Sequence, residues 1–259
     1  MLKPRSLLCL IFLAPCLLAS QPEEVMGHGQ VQQLHQLLKI QPGATLIVDN
    51  PLGNLRIRSI REREGIDVTA TVQLKTGQDN PLDLVQQIEE DGSVKVALSG
   101  IEDMERLVRA VYRVDLVIGL PDTHPLDVRL IDGEFTMHGG TYPVRLRGRT
   151  GKANIRTSGT VDVELLHGHV VYQPAISMGA PQGGRIQTSS AAVDVLLADP
   201  ESLNYQVVSG AAITTDSLAL LQSRQIDGRT RLFGSDADSP VLKIQTDHGP
   251  VRLVAEGIR

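Results

Sequence analysis

Two imidazoles stand two residues apart in His167-Gly168-His169. An extended strand would set them on one face, and zinc accepts imidazole nitrogen. Closing such a site takes a further ligand, which His138 or Glu164 would have to supply from a neighbouring element. Without that alignment the pair reads as exposed corner histidines, and no metal ligand is assigned. Asp132-Gly133-Glu134 offers two carboxylates, but nothing around them marks the raised pKa that acid–base work needs. Gly148-Arg149-Thr150-Gly151-Lys152 imitates a phosphate loop. That motif needs four residues between its glycines and a Ser or Thr after the lysine, whereas here two residues intervene and Ala153 follows. Gly234-Ser235-Asp236-Ala237-Asp238-Ser239 alternates carboxylates as calcium loops do. Pro240 and Val241 stand where further oxygen ligands would be required, so it reads as a solvated turn. A Gly-x-Ser-x-Gly elbow is absent, and the lack of Trp removes the usual stacking surface for sugar rings. No catalytic, cofactor-binding or metal-binding residue is therefore expected.

The sharpest charge feature is Arg145, Arg147 and Arg149, with Lys152 and Arg156 nearby. Period-two spacing puts Val144 and Leu146 inward and Arg145 and Arg147 outward on one side. Arg145, Arg147, Arg149 and Lys152 are the candidate patch for an anionic ligand such as an acidic polysaccharide or a headgroup layer. The competing reading is a solvated face that keeps sheets from associating edge to edge.

What positions these residues is a ten-residue pattern: apolar–x–Thr/Asn/Gly–x–x–Gly–x–apolar–x–apolar. It runs Val48 to Ile57, Leu146 to Ile155 and Ile244 to Leu253. A copy one residue shorter surrounds Gly159, and another carries Ala191 in place of the glycine. Each copy reads as strand, tight corner, strand, with structural corners at Gly53, Gly151, Gly159 and Gly249. Polar corner residues recur at Asn50, Thr150, Thr157, Thr188 and Thr246. Inward positions are mid-sized Val, Ile and Leu, and the chain holds three Phe and no Trp. The expected fold is all-β, a single-domain β-solenoid-like stack of short strands with glycine-centred corners. An antiparallel β-sandwich is the alternative. Residues 21–36 are Gln-rich and read as a lead-in with little structure. Residues 81–92, with Pro81 first and Asp91-Gly92 last, read as a short helical or looped insert.

Lys3 and Arg5 precede an apolar run, Leu7 to Leu18, that ends at Ala19 and Ser20. The run is too short to span a bilayer, which takes about 20 residues, and has the order of a secretory signal peptide. Both cysteines, Cys9 and Cys16, fall inside it. Pro15 before Cys16 and apolar residues after it argue against a lipid anchor there. Without Lys3 and Arg5, 23 of the 25 Lys and Arg face 30 Asp and Glu, a net of −7. Acidic charge argues against nucleic acid as a partner. No later stretch is apolar enough for a transmembrane helix, and seven Phe and Tyr are too few for the girdles of a membrane barrel.

The pattern Val-x-Asn-x-x-Gly-x-Leu-x-Ile near the start resembles the bacterial putative-adhesin domain family. So do Leu120-Pro121 closing a long strand and the terminal Ile-x-Thr-x-x-Gly-x-Val-x-Leu. The resemblance covers roughly residues 44–255. It implies an exported or envelope-associated β-solenoid-like protein without an assigned activity, and it brings no catalytic residues with it. The expected organisation is a signal peptide at 1–20, a lead-in at 21–43 and a β domain at 44–259. The expected role is a non-enzymatic envelope or cell-surface protein, in the periplasm or outside the cell, presenting a β face to a protein or glycan partner. The alternative is a polysaccharide-cleaving β-helix enzyme.

Overall fold

The computed structural model describes residues 30–255 apart from 61–64, 76, 80–81, 100–104, 106–108, 123, 200–201, 217–223, 226–228 and 235–238. The expected leader, Cys9 and Cys16, and residues 235–238 of the acidic loop lie outside the described residues.

The chain is all-β. Strands β1 (Val31–Leu38), β2 (Leu46–Leu52), β3 (Leu55–Ile60), β4 (Ile66–Leu74), β5 (Asp83–Ile88), β6 (Val94–Ser99) and β7 (Val111–Pro121) lead to three long ones. These are β8 (Leu126–His138), β9 (Val144–Thr157) and β10 (Val161–Pro174). After a 3-10 turn at Ile176–Met178 come β11 (Gly184–Thr188), β12 (Ala192–Leu197), β13 (Asn204–Ser209) and β14 (Ile213–Thr215). The order ends with β15 (Arg224–Gln225), β16 (Thr230–Phe233), β17 (Val241–Thr246) and β18 (Val251–Ala255).

Two parallel ladders organise these strands. The first limb runs β6-β2-β8-β9-β10-β11-β17-β13. The second runs β7-β3-β8-β9-β10-β12-β18-β14. The long strands serve both, their first halves in one limb and their second halves in the other. Register follows the pleat. Val48, Val128, Leu146, Val163, Ile186 and Ile244 are successive partners in the first limb, and all are buried. Ile57, Met137, Ile155, Tyr172, Val195 and Leu253 do the same in the second. Both limbs feed one continuous core. Burying each such side chain is worth about 1.5–3 kcal/mol relative to exposure, which makes the inward rows the main stabilising term. In a chain with no Trp and three Phe, Tyr172, Tyr205 and Phe135 are the bulkiest fully buried side chains. Burial pushes the phenol pKa values of Tyr172 and Tyr205 upward.

Pairing over β8, β9 and β10 is parallel and in register. Among the described residues, antiparallel pairing is confined to β1–β4, β4–β7, β5–β6, β13–β16 and β15–β16. The stack is not in chain order at its far end, since β17 and β18 lie between the β11/β12 coil and the β13/β14 coil.

Two different corners join the limbs. On β8, β9 and β10 the strand continues through a bend at Gly133, Gly151 and Gly168, which pair with one another. Gly151 has φ +143°, and a β-carbon there would lie 1.8 Å from the Gly133 carbonyl oxygen. Gly53 is part of the same column, with its own carbonyl against Gly133. A second kind of corner is closed by a buried polar side chain; it occurs at the opposite turn, between β9 and β10, and also on the same side as the Gly151 bend, where β11 meets β12 and β17 meets β18. Thr157 donates to the Gly140 carbonyl at 2.8 Å and accepts from the Gly159 amide at 3.0 Å. Thr246 accepts from the Gly249 amide at 2.8 Å, and Thr188 donates to the Ala191 carbonyl at 3.1 Å. Ala191 thus stands in its copy where Gly249 stands in the last one, and the corner still closes. Gly159 and Gly249 keep the neighbouring backbone close: a β-carbon would come within 1.9 Å of the Tyr142 and Ala191 carbonyl oxygens.

Three expectations need correction. Thr150 is exposed and aligned with Asp132 and His167, so it does not share the buried corner role of Asn50, Thr157, Thr188 and Thr246. Within 81–92 there is a strand, β5, hairpinned onto β6. Its helix-forming residues are overruled by the open edge of β6, with Leu84 packed on the core and Asp83, Val85 and Gln87 in solvent. The Gln-rich lead-in likewise carries β1, paired along its length with β4 and seated by Leu34 and Leu38.

Candidate functional site

The register dissolves the motifs that sequence reading singled out. Gly133, Gly151 and Gly168 are equivalent, so Asp132-Gly133-Glu134, Thr150-Gly151-Lys152 and His167-Gly168-His169 are one bend repeated on adjacent strands. His167 Nδ1 is 2.7 Å from Ser190 Oγ, while His169 Nε2 is 2.9 Å from Asp194 Oδ2. The two imidazoles therefore serve different partners. Among the described residues no group of three or more His, Cys, Asp and Glu is placed to hold a metal ion. Asp194 is also gripped by Arg252, whose Nε donates at 2.7 Å. That guanidinium, followed by the His169 bond, holds the Asp194 carboxyl below the usual carboxylate range.

The arginine stripe is split by the bend. Arg145 and Arg147 face outward on the first limb, where carboxylates of adjacent strands meet them. Arg145 Nε lies 3.4 Å from Asp162, and Arg147 lies 4.0 Å from Asp127 and 3.9 Å from Glu164. Arg185 spans Asp162 at 3.0 Å and Glu164 at 2.9 Å, and Asp49 pairs with Lys95 at 3.0 Å and Arg129 at 3.9 Å. This face is a lattice of alternating charge that neutralises itself. It does bring two carboxylates and a guanidinium together at Arg185, but on an open sheet surface. Arg149 falls at the bend, and Lys152 stands on the second limb between Glu134 and His169.

The second limb is organised differently. Arg58, His138 and Arg156 are direct partners on β3, β8 and β9, and Arg56, Thr136 and Asn154 form the row beside them. The basic side chains are exposed. Arg56, His138 and Arg156 line a recess of about 380 Å³ together with Glu134, Val171, Gln173 and Leu196, and Arg58 flanks it as the β3 partner of His138. A smaller recess of about 160 Å³ adjoins it past Arg56, with Asn54, Asp115 and Val117 on its walls. The acids here are engaged. Glu134 accepts from Asn154 Nδ2 at 2.7 Å, and Asp115 accepts from the Asn54 amide at 2.9 Å and Arg113 Nε at 2.6 Å. Among the described residues, Arg56, Arg58, His138 and Arg156 have no ion-pair partner. Sequence reading missed this row because Arg58, His138 and Arg156 lie far apart along the chain and meet only through strand register. Its one sequence signal is the outward alternation of Arg56 and Arg58 around buried Ile57.

No family model matches the sequence, and no curated protein matches it. Among solved structures the chain is similar to a putative cell adhesion protein from Clostridium sporogenes, at 12% identity over 88% of this chain and 100% of that one, with a TM-score of 0.43. It is also similar to a putative adhesin from Bacteroides fragilis, at 10% identity over 86% and 97%, TM-score 0.32. A third is a putative lipid binding protein from Parabacteroides distasonis, at 12% identity over 87% and 98%, TM-score 0.25. No helix among the described residues is long and apolar enough to cross a membrane.

Proposed function

We propose that the chain is an exported, non-enzymatic binding protein of the cell envelope or surface, which presents the outward face of its second limb to a partner. One observation carries this reading: of the two outward faces, the first pairs its charges from strand to strand, while the second leaves Arg56 and Arg156, beside a recess, without an ion-pair partner among the described residues. The parallel ladders engage the backbone of the central strands, so recognition on this face runs through side chains held at fixed spacing, about 4.8 Å from strand to strand. The basic head and apolar run at residues 1–20 support export.

A second reading, cleavage of a polysaccharide, is favoured by one feature: Asp115 and Glu134 line the recesses beside Arg56. The engaged state of both carboxylates weighs against it, since a general acid needs a carboxyl free to exchange its proton. To separate the two, the tagged full-length chain is expressed in a bacterium and its cells are fractionated. The purified protein is then incubated with acidic and neutral polysaccharides. Recovery in the envelope or medium with no new reducing ends is the expected result. Retention in the cytosol overturns export, and reducing ends lost in Glu134→Gln move the assignment to an enzyme.

A further inference from the structure

We infer that the row Arg58–His138–Arg156, with Arg56 beside it, is a binding site for a linear carboxylate-bearing glycan lying across β3, β8 and β9. This rests on the reading of the second limb as the binding face and adds the ligand class and its residues.

Three features of the site select that class. The first is charge. The full chain is acidic, at −5, yet at this recess Arg56 and Arg156 have no ion-pair partner among the described residues, while the one lining carboxylate, Glu134, is held by Asn154. Guanidinium forks bond carboxylates in pairs, and Arg58 and Arg156 flank His138 on adjacent strands. A chain with anions at intervals along its length can meet the row by running perpendicular to the strands.

The second feature is the floor. Thr136, Asn154 and Gln173 line the recess between and beside the basic groups, and their hydroxyl and amide groups both donate and accept. Sugar hydroxyls have the same dual character. Val171 and Leu196 supply a small apolar wall against which the C–H face of a ring can rest.

The third is what the site does not offer to competitors. A peptide that binds by strand addition needs a free sheet edge, but β3, β8 and β9 each have a parallel neighbour on both sides. A bilayer surface calls for a polybasic cluster or an apolar face that inserts, whereas here two arginines, Arg56 and Arg156, stand at a polar-floored recess. The arginines of the first limb could not substitute, because binding an anion there means displacing Asp127, Asp162 or Glu164.

The test is calorimetric titration of the purified chain with oligogalacturonate at low salt. Dextran, inorganic phosphate and phosphatidylglycerol vesicles are run as separate arms. Arg58→Gln with Arg156→Gln should weaken oligogalacturonate binding by about tenfold or more, as loss of paired charged hydrogen bonds requires. Arg145→Gln with Arg147→Gln should leave it within about twofold, because those charges are already engaged. All four positions are on solvent faces, and unchanged circular dichroism confirms folding. Equal losses in both double variants would reduce the site to general electrostatics and overturn it. Binding to vesicles but not to oligogalacturonate through the same arginines overturns the glycan assignment in favour of a lipid surface, and binding to phosphate alone overturns the need for a chain. If the parent binds none of the probes yet retains an envelope component on a column, the site assignment fails while the binding-protein reading stands.

Discussion

Replacing Gly151 with alanine tests how tightly the bend is built. At φ +143° an L side chain is strained, and its β-carbon would sit 1.8 Å from the Gly133 carbonyl oxygen and 2.9 Å from the carbonyl carbon. The intruding atom is backbone on the adjacent strand, so relief requires that strand to move by more than about 1 Å, and close packing leaves no room for this. The unfavourable backbone region costs about 1–3 kcal/mol. Displacing the strand also loosens one or two ladder hydrogen bonds at about 1 kcal/mol each. The sum is about 2–5 kcal/mol, a large share of a total stability of about 5–15 kcal/mol. At about 2–4 °C per kcal/mol for a chain of this size, the melting temperature should fall by roughly 4–20 °C, with a centre near 10 °C. Gly43→Ala is the matched control. Its φ is +80°, but nothing lies within 4 Å of the added carbon, so it bears only the conformational cost of about 1–2 kcal/mol. Thermal and denaturant unfolding followed by circular dichroism compare the two. If Gly151→Ala melts within about 3 °C of Gly43→Ala, the strands do not meet at this bend as described.

Further predictions address the other corner and the charge clusters. Thr157→Val should cost about 2–4 kcal/mol in denaturant unfolding, because the Gly140 carbonyl and the Gly159 amide each lose a buried partner, while Thr157→Ser should recover most of it. Arg145→Gln with Arg147→Gln should change stability by less than about 1 kcal/mol, since these half-exposed pairs are solvent-screened. Asp194, whose carboxyl is lowered chiefly by Arg252 and also by His169, stabilises the folded state above its unfolded pKa of about 3.9, and that stabilisation drains away as pH falls through the lower folded value. Unfolding from pH 7 to pH 2 should therefore show the parent ahead of Asp194→Asn at neutral pH and the gap closing below about pH 4. A gap that does not change with pH would mean the carboxylate charge plays no part.

Much of the fold could be read from residue order. Alternation around Val48, Leu146 and Ile244 marks strands, and recurring glycines mark where they turn. Three things were hidden. Glycine marked two corner types alike, and only strand register separates the Gly151 bend from the corner closed by Thr157. Register also decides which outward charges are free. Arg145 and Arg147 are conspicuous because they are adjacent in sequence, yet Asp162 and Glu164 reach them from the next strand. Arg58, His138 and Arg156 were inconspicuous because their proximity depends on coil stacking. Strand β5 was hidden for a related reason: the edge it covers is a tertiary feature that overrides local helix preference.

The most direct test of the account is arginine footprinting of the intact chain with phenylglyoxal, read residue by residue by mass spectrometry with and without oligogalacturonate. Arg56, Arg58 and Arg156 should react readily alone and become protected when the glycan is added, while Arg145, Arg147 and Arg185 keep the same reactivity in both conditions. Protection of the first-limb arginines, or none at the second-limb row, would contradict the assignment of the binding face.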